Sequence, residues 1–224
     1  MAAVLLSLIL ASTVAASAVH PMFVRADSGA GNWAGFTGRI QVRPDTFGMA
    51  VWPGGYLGDG TFVQAGVYMP GSAYTLPGEA KLFFWATTNT ADPAFGPFPL
   101  QWISIPNATL WSWYVVEATK VGNIWTFRYQ DPALAWHTVG TFLSTGTLGS
   151  FQIVAEYWAE GPQPFATQAI QHAWVKNTTG GWFATPMWYS ADSERCGHDA
   201  MTSTTPSNAL FKSTEGGACV YRLW

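Results

Sequence analysis

Charged residues are scarce in this sequence. They make up 10% of its 224 residues, with a formal net charge of −3. No cluster of lysines and arginines provides the basic surface that nucleic-acid binding requires, so we expect no nucleic-acid partner. Few charges also create little mutual repulsion when carboxylates become protonated, which is consistent with function in acid.

Long apolar runs are also missing, with one exception at the beginning of the chain. Residues 1–18, MAAVLLSLILASTVAASA, end in the small-x-small pattern Ala16-Ser17-Ala18. This pattern is typical of a secretory signal peptide, but the basic n-region is absent and a retained membrane anchor stays an alternative. No later segment reaches the ~18 uninterrupted apolar residues of a membrane span. We therefore expect a secreted protein that has no membrane contact after signal removal.

Cysteine occurs only twice, at Cys196 and Cys219. In an exported chain the pair predicts one disulfide, whose loop of roughly two dozen residues would contribute about 3 kcal/mol. The segment CGHD at 196–199 has incomplete spacing for a metal site, so we expect neither a metal nor a cofactor. Asn107 and Asn177 begin Asn-x-Thr sequons, which predict glycosylation in a host that glycosylates.

Helical periodicity is nearly absent after residue 18. Short runs with period-two alternation replace it, punctuated by 23 glycines and 14 prolines. The clearest hairpin, WSWYVVEATKVGNIWTFRYQD, turns at residues 120–123. The predicted strands are 32–43, 47–52, 61–69, 80–88, 99–105, 111–118, 123–129, 137–143, 150–160, 165–176, 181–189 and 217–224.

No interior linker, charge run or repeat divides the mature chain. We therefore expect a short N-terminal segment at 19–30 and a single domain at 31–224. Many short strands around one core predict an all-β sandwich of two antiparallel sheets. The 13 tryptophans exceed the needs of one thin core, so some are expected to line a groove that binds an extended polymer. For any single tryptophan, ordinary core packing is the alternative.

Two glutamates stand in the apolar run VAEYWAEG. Because side chains alternate along a strand, Glu156, Trp158 and Glu160 share one face. The segment GTLGSFQIVAEYWAEGPQPF contains no lysine, arginine or histidine to pair with them. An unpaired carboxylate on a dry face costs several kcal/mol, so this face is expected to border a groove that contains water. A solvated outer face with two functionless glutamates is the alternative.

A glycosidase pair is another interpretation of the two glutamates. Residues four apart on a strand are separated by about 13 Å, whereas retaining glycosidases hold their carboxyl groups ~5–5.5 Å apart and inverting ones ~6.5–9.5 Å. The usual aspartate between the two acids is also replaced, by Trp158. The spacing weakens the glycosidase interpretation without eliminating it.

Gln64 places a polar amide inside the otherwise apolar strand GTFVQAGVYM. Alternation predicts that it shares a face with Phe62, Gly66 and Tyr68. Such an amide either satisfies a neighbouring backbone group or donates a hydrogen bond to a developing oxyanion.

Three segments, GNWAGF, VQAGV and AEYWAEGPQPFATQAIQHAWV, resemble the eqolisins, glutamic peptidases of the scytalidoglutamic and aspergilloglutamic type. A looser similarity extends from about Gly31 to Trp224. The resemblance implies a concanavalin A-like, lectin-like sandwich of the jelly-roll kind, with a Gln/Glu dyad on its concave sheet. The family's glutamine falls on Gln64 and its catalytic glutamate on Glu160.

The resemblance also implies supporting positions. It gives Glu156 a supporting role, and it makes Trp33 in GNWAGF and Trp52 in AVWPGG counterparts of substrate-cleft tryptophans. The cleft positions that we expect are Trp33, Trp52, Trp158, Tyr68 and His172. His172 is included because its strand directly follows the strand that carries Glu160.

The sequence departs from the eqolisin pattern in the strand after the glutamine. A glutamate that the family often carries there is Phe84 or Trp85 in this chain, within KLFFWATT. The pair of strands VQAGVYM and KLFFWATTN also resembles the neprosin-type glutamic peptidases, which have a glutamate where Gln64 stands. Only the short stretch 19–30 takes the place of the long propeptide that fungal eqolisins carry.

The first expectation is therefore a secreted, monomeric, acid-active endopeptidase that cleaves polypeptides with Glu160 and Gln64. A non-catalytic, lectin-like module that binds glycans is the alternative from another class of protein. A β-glucanase-like glycoside hydrolase is the third.

Overall fold

The computed structural model describes residues 22–42, 49–69, 80–87, 98–105, 111–157, 167–191, 209–214 and 217–223. None of these residues is helical, so no described segment forms a helix that could cross a bilayer. The strands are β1 (Met22–Ser28), β2 (Trp33–Gln41), β3 (Met49–Tyr56), β4 (Phe62–Met69), β5 (Lys81–Thr87), β6 (Phe98–Ser104), β7 (Trp113–Val121), β8 (Ile124–Gln130), β9 (Trp136–Leu143), β10 (Gln152–Tyr157), β11 (Thr167–Asn177), β12 (Trp182–Phe183), β13 (Met187–Ala191), β14 (Ala209–Thr214) and β15 (Gly217–Leu223).

The strands form two antiparallel sheets. Sheet A has the order β13-β1-β10-β3-β4-β5-β6, and sheet B has the order β15-β14-β11-β2-β7-β8-β9, with β12 paired to β11. Alternate residues of both sheets contribute to one shared apolar core, which is why period-two patterning runs through the sequence. The predicted all-β sandwich of two antiparallel sheets is confirmed.

Aromatic rings fill the space between the sheets. Phe84 of sheet A packs against Phe127 of sheet B with ring centroids 5.7 Å apart, and Phe98 packs against the same ring at 5.2 Å. Trp125 is fully buried, and its indole N–H donates a hydrogen bond to the Gly146 carbonyl oxygen. Full burial of one large apolar side chain stabilises the fold by about 1.5–3 kcal/mol, so these rings are a main source of stability.

The predicted hairpin between β7 and β8 is confirmed. Val121 pairs with Ile124, which leaves Gly122 and Asn123 as a two-residue loop. Gly122 has φ = 60°, a left-handed conformation that glycine adopts without steric cost.

The structure contains strands that the sequence analysis did not predict. β1 lies within the segment 19–30, yet it pairs with β10 on one side and β13 on the other. The folded unit therefore includes residues before Gly31. β14 was also missed, and the predicted strand 181–189 is divided into β12 and β13. Residues 1–18, the predicted signal peptide, lie outside the described residues.

Candidate functional site

A second apolar cluster lies on the face of sheet A that points away from the core. It consists of Ala50, Trp52, Phe83 and Val154, with Phe62 and Tyr68 packed against it. Gln64 lies on this face because the residues before and after it, Val63 and Ala65, belong to the core between the sheets. We call this surface, with Gln64 and this apolar cluster, the Gln64 face.

Gln64 has a glycine on one side and a tryptophan on the other. It is in register with Gly54 of β3 and with Trp85 of β5. A Cβ atom at position 54 would come within 3.0 Å of the Gln64 Cα and 2.3 Å of the Val63 carbonyl oxygen, so only glycine fits there. The close approach of β3 to the backbone of Gln64 therefore requires glycine at position 54.

The polar groups of this face are short of partners. Gln64 is only 9% exposed as a residue, but its amide atoms are not fully buried, and no described residue forms a hydrogen bond with them. The indole N–H of Trp52 is buried and has no hydrogen-bond partner. A buried polar group without a partner costs about 1–3 kcal/mol. Such a cost is common at functional sites, where a ligand supplies the missing partner.

Of the two glutamates in VAEYWAEG, the structure describes the backbone of Glu156 but not Glu160. The backbone of Glu156 lies in β10, in register with Phe23 and Ala50. Gln152 of β10 pairs with Gly54, which in turn pairs with Gln64. Glu156 is four residues beyond Gln152, so it lies about 13 Å further along the strand. Glu160 and Trp158 lie outside the described residues. The meeting of Glu160 with Gln64 therefore stays a prediction.

The structure separates the other predicted cleft residues into two groups. Trp52 and Tyr68 lie on the Gln64 face, where Tyr68 contacts the exposed ring of Trp102 at 5.8 Å between centroids. Burial raises the pKa of Tyr68, which therefore stays neutral in acid. Trp33 instead lies in sheet B, with its side chain in the core between the sheets.

His172 also lies away from the Gln64 face. It is exposed, has φ = 50° and stacks on Trp174 at 4.9 Å between centroids. His172 was expected beside Glu160 because consecutive strands are often neighbours in space. β10 belongs to sheet A and β11 to sheet B, so His172 is carried to the other layer of the sandwich.

Three residues of the Gln64 row were not singled out as site residues from the sequence. Asp27 of β1 pairs with Gln152, so one row crosses sheet A through Asp27, Gln152, Gly54, Gln64 and Trp85. One carboxylate oxygen of Asp27 is buried without a hydrogen bond, although the residue has another interaction. No local pattern in the sequence could have found this row, because it depends on the register of strands far apart in the chain.

Phe84 and Trp85 point to opposite faces of sheet A. Phe84 is fully buried in the core, whereas Trp85 is in register with Gln64 and contacts Phe62 on the same face. Trp85 is therefore the one of the two that neighbours Gln64, and which of them stands at the eqolisin glutamate position stays open.

The predicted modification sites are partly described. Asn177 begins an exposed turn, where its side-chain oxygen accepts hydrogen bonds from the Gly181 amide and the Thr179 hydroxyl. Cys219 lies in β15, whereas Cys196 and Asn107 lie outside the described residues, so the disulfide and the other sequon stay predictions. Within the described ranges, no group of three or more His, Cys, Asp or Glu residues could hold a metal ion.

Among solved structures, this chain is similar to scytalido-glutamic peptidase, crystallised with a peptide-based transition-state analogue. The similarity covers 87% of this chain and 98% of that one, with a TM-score of 0.58 and 10% identical residues. No protein-family model and no curated protein matches the sequence. At this identity the likeness establishes the fold, an eqolisin-like β-sandwich.

Proposed function

We propose that this protein is a secreted, acid-active glutamic endopeptidase. The fold supports the peptidase class, because a peptidase with the same fold accommodates a peptide-based transition-state analogue. The observation that carries the proposal is Gln64, a mostly buried residue whose amide forms no hydrogen bond with a described residue, on an aromatic face of sheet A. Gly54 lets β3 approach the backbone of Gln64 closely, which holds the strand that carries this amide.

The proposed reaction uses one carboxyl group and one carboxamide. The Glu160 carboxylate takes a proton from a water molecule, whose oxygen attacks the carbonyl carbon of the peptide bond. The Gln64 amide N–H donates a hydrogen bond to the carbonyl oxygen and stabilises its negative charge in the tetrahedral intermediate. Protonated Glu160 then donates its proton to the leaving nitrogen as the C–N bond breaks. A group that both accepts and donates a proton works best at a pH near its pKa. An ordinary glutamate has a pKa of about 4.3, so activity is expected in acid.

Substitution of the two groups tests this mechanism. Gln64→Ala should lower kcat for casein or a peptide substrate by about 10²–10³-fold, the usual cost of one oxyanion donor. Glu160→Gln should abolish cleavage at pH 3–4, because the amide cannot accept the proton. Glu156→Gln and Asp27→Asn ask whether either of these acids of sheet A supplies the proton instead, and Asp131→Asn, in the turn between β8 and β9 of sheet B, is the control that should keep activity.

The controls and inhibitors decide between reaction classes. Circular dichroism should show that the Gln64 and Glu160 variants remain folded. Full activity of Glu160→Gln would show that Glu160 is not the general acid/base. Loss of activity only in Asp27→Asn or Glu156→Gln would assign that role to the substituted residue. Strong inhibition by pepstatin or by a chelator would contradict the glutamic mechanism. Secretion is tested by sequencing the N-terminus of exported protein, which should begin after Ala18.

Glycan binding is the second candidate function. The exposed ring of Trp102, beside Tyr68 and Phe83 on the same face, is the kind of aromatic surface on which a sugar ring stacks. Binding to a glycan array without proteolysis at any pH would favour this function. Release of reducing sugar from laminarin would instead favour the glycoside hydrolase.

A further inference from the structure

An open pocket of about 360 Å³ lies on sheet A against Trp85, the cross-strand neighbour of Gln64. It is lined by Tyr56, Gly60, Phe62, Trp85 and Thr87. Trp85 is the cross-strand partner of Gln64, and Phe62 precedes Gln64 by two residues on the same strand face. Two residues of a strand span roughly 6.6 Å, so the pocket begins within one or two substrate residues of the proposed oxyanion donor.

The walls of this pocket are aromatic and carry no charge. Phe62 forms its centre, with ring centroids 4.9 Å from Tyr56, 6.1 Å from Trp85 and 5.6 Å from Trp52. The planes are inclined by 57°, 68° and 87°, so the rings present both faces and edges. Aromatic rings prefer offset and edge-to-face contacts, so an inserted ring finds favourable geometry in such a pocket.

These rings are separate from the core that holds the sheets together. None of Tyr56, Phe62 and Trp85 belongs to the core cluster, and Tyr56 is 52% exposed. The turn after Tyr56 is fixed, because the Asp59 carboxylate accepts hydrogen bonds from Ser144 and from the Thr61 amide. The pocket is therefore both accessible and held in shape before a ligand arrives, which lowers the entropic cost of binding.

We propose that this pocket binds a large aromatic side chain of the polypeptide substrate, next to the bond that is cleaved. The inference rests on the proposed peptidase function and adds its specificity. Trp85 is the specificity-determining residue, because it both lines the pocket and neighbours Gln64 in the register of the sheet. The absence of charge on the lining side chains disfavours lysine, arginine, aspartate and glutamate at that substrate position.

The test compares peptide substrates that differ at one position. A set of internally quenched peptides carries Phe, Leu, Ala, Lys or Glu at each position around the cleaved bond, and kcat/KM is measured for each. We expect Phe to exceed Ala at one position by at least about tenfold, and Trp85→Ala to remove most of that preference. Trp136→Ala is the matched control, since Trp136 is an exposed tryptophan of sheet B, and it should leave the ratio unchanged.

A binding experiment separates failure of the pocket from failure of the peptidase function. Uncleavable peptides with a reduced CH₂–NH bond, containing Phe or Ala, are titrated by calorimetry into the wild-type chain. Tighter binding of the Phe peptide, lost in Trp85→Ala and partly kept in Trp85→Phe, supports the pocket even if no proteolysis occurs. Equal binding of both peptides, or an unchanged Phe-to-Ala ratio in a folded Trp85→Ala or Trp85→Phe chain, would overturn it.

Discussion

At the scale of the residue, the site depends on one glycine as much as on one glutamine. β3 can pair closely with β4 at Gln64 because Gly54, its partner in β3, has no side chain. Val63 and Ala65 anchor the same strand in the core, which fixes the direction in which the amide points. The local alternation was readable from the sequence, but the need for glycine at position 54 was not, because it arises from contact with another strand.

Gly54→Ala is expected to reduce activity and stability together. The new Cβ would meet the Val63 carbonyl oxygen at 2.3 Å, and backbone atoms cannot move aside as a flexible side chain can. Overpacking of this kind costs about 1–3 kcal/mol of unfolding free energy and should displace Gln64. Gly58→Ala is the control, since the nearest atom to its Cβ lies at 3.9 Å and little change is expected. Urea unfolding and peptide cleavage measure both effects; wild-type values for Gly54→Ala would contradict the steric argument.

At the scale of the element, a polar clamp joins the β3–β4 turn to the loop after β9. The two carboxylate oxygens of Asp59 accept hydrogen bonds from the Thr61 amide, the Ser144 hydroxyl and the Gly146 amide. Lys120 reinforces the loop from the other side by donating to the carbonyl oxygen of Gly146 at 2.9 Å. The clamp links the two sheets beside the aromatic pocket.

The clamp should make stability depend on pH below 4. Partial burial raises the pKa of Asp59, but the hydrogen bonds from Ser144, Thr61 and Gly146 outweigh it and hold the pKa below its usual 3.8. A lowered folded pKa means that this contribution is complete above about pH 4 and is lost as the pH falls through the folded value. The Asp59 carboxylate therefore stays ionised to a lower pH than an unperturbed aspartate does.

Asp59→Asn tests this contribution. Because the amide oxygen replaces only one of the two accepting oxygens, the unfolding free energy at pH 7 should fall by about 1 kcal/mol, or about 2–4 °C in Tm. The difference in Tm between wild type and variant should shrink as the pH is lowered from 5 to 2, since wild-type Asp59 becomes protonated. Thr178→Ala, at an exposed residue of the turn after β11, provides the reference. A constant difference across this range would show that Asp59 is not the titrating group.

At the scale of the whole molecule, β1 is an interior strand of sheet A, although its partners β10 and β13 lie far from it in the sequence. It lies between β10 and β13, with Asp27 in register with both Gln152 and Trp188. An interior strand supplies backbone hydrogen bonds on two sides, so its loss exposes two strand edges at once.

Truncation measures the role of β1. A chain that begins at Val19 should fold and melt cooperatively, whereas a chain that begins at Gly31 should lose most of its stability or aggregate. The expected difference follows from the lost pairing with β10 and β13. Size-exclusion chromatography and thermal unfolding compare the two. Equal melting temperatures would mean that sheet A is complete without β1.

The sequence by itself determined those features that neighbouring residues decide. Strand alternation is local, so the all-β fold, most strand positions and the opposite directions of Gln64 and Val63 were predictable. The hairpin loop at Gly122 was predictable because a left-handed turn favours glycine there.

Only the tertiary structure decided which strands are neighbours. It placed β10 and β11 in different sheets, brought β1 into sheet A, and aligned Gln152, Gly54, Gln64 and Trp85 in one row. The physical reason is that pairing and register depend on how distant segments bury their apolar faces together, and a period of two gives every strand the same local signal. The candidate site is a product of that register, which is why Gln64 and Tyr68 were placed on one face from the sequence and the row through Asp27, Gln152, Gly54 and Trp85 was not.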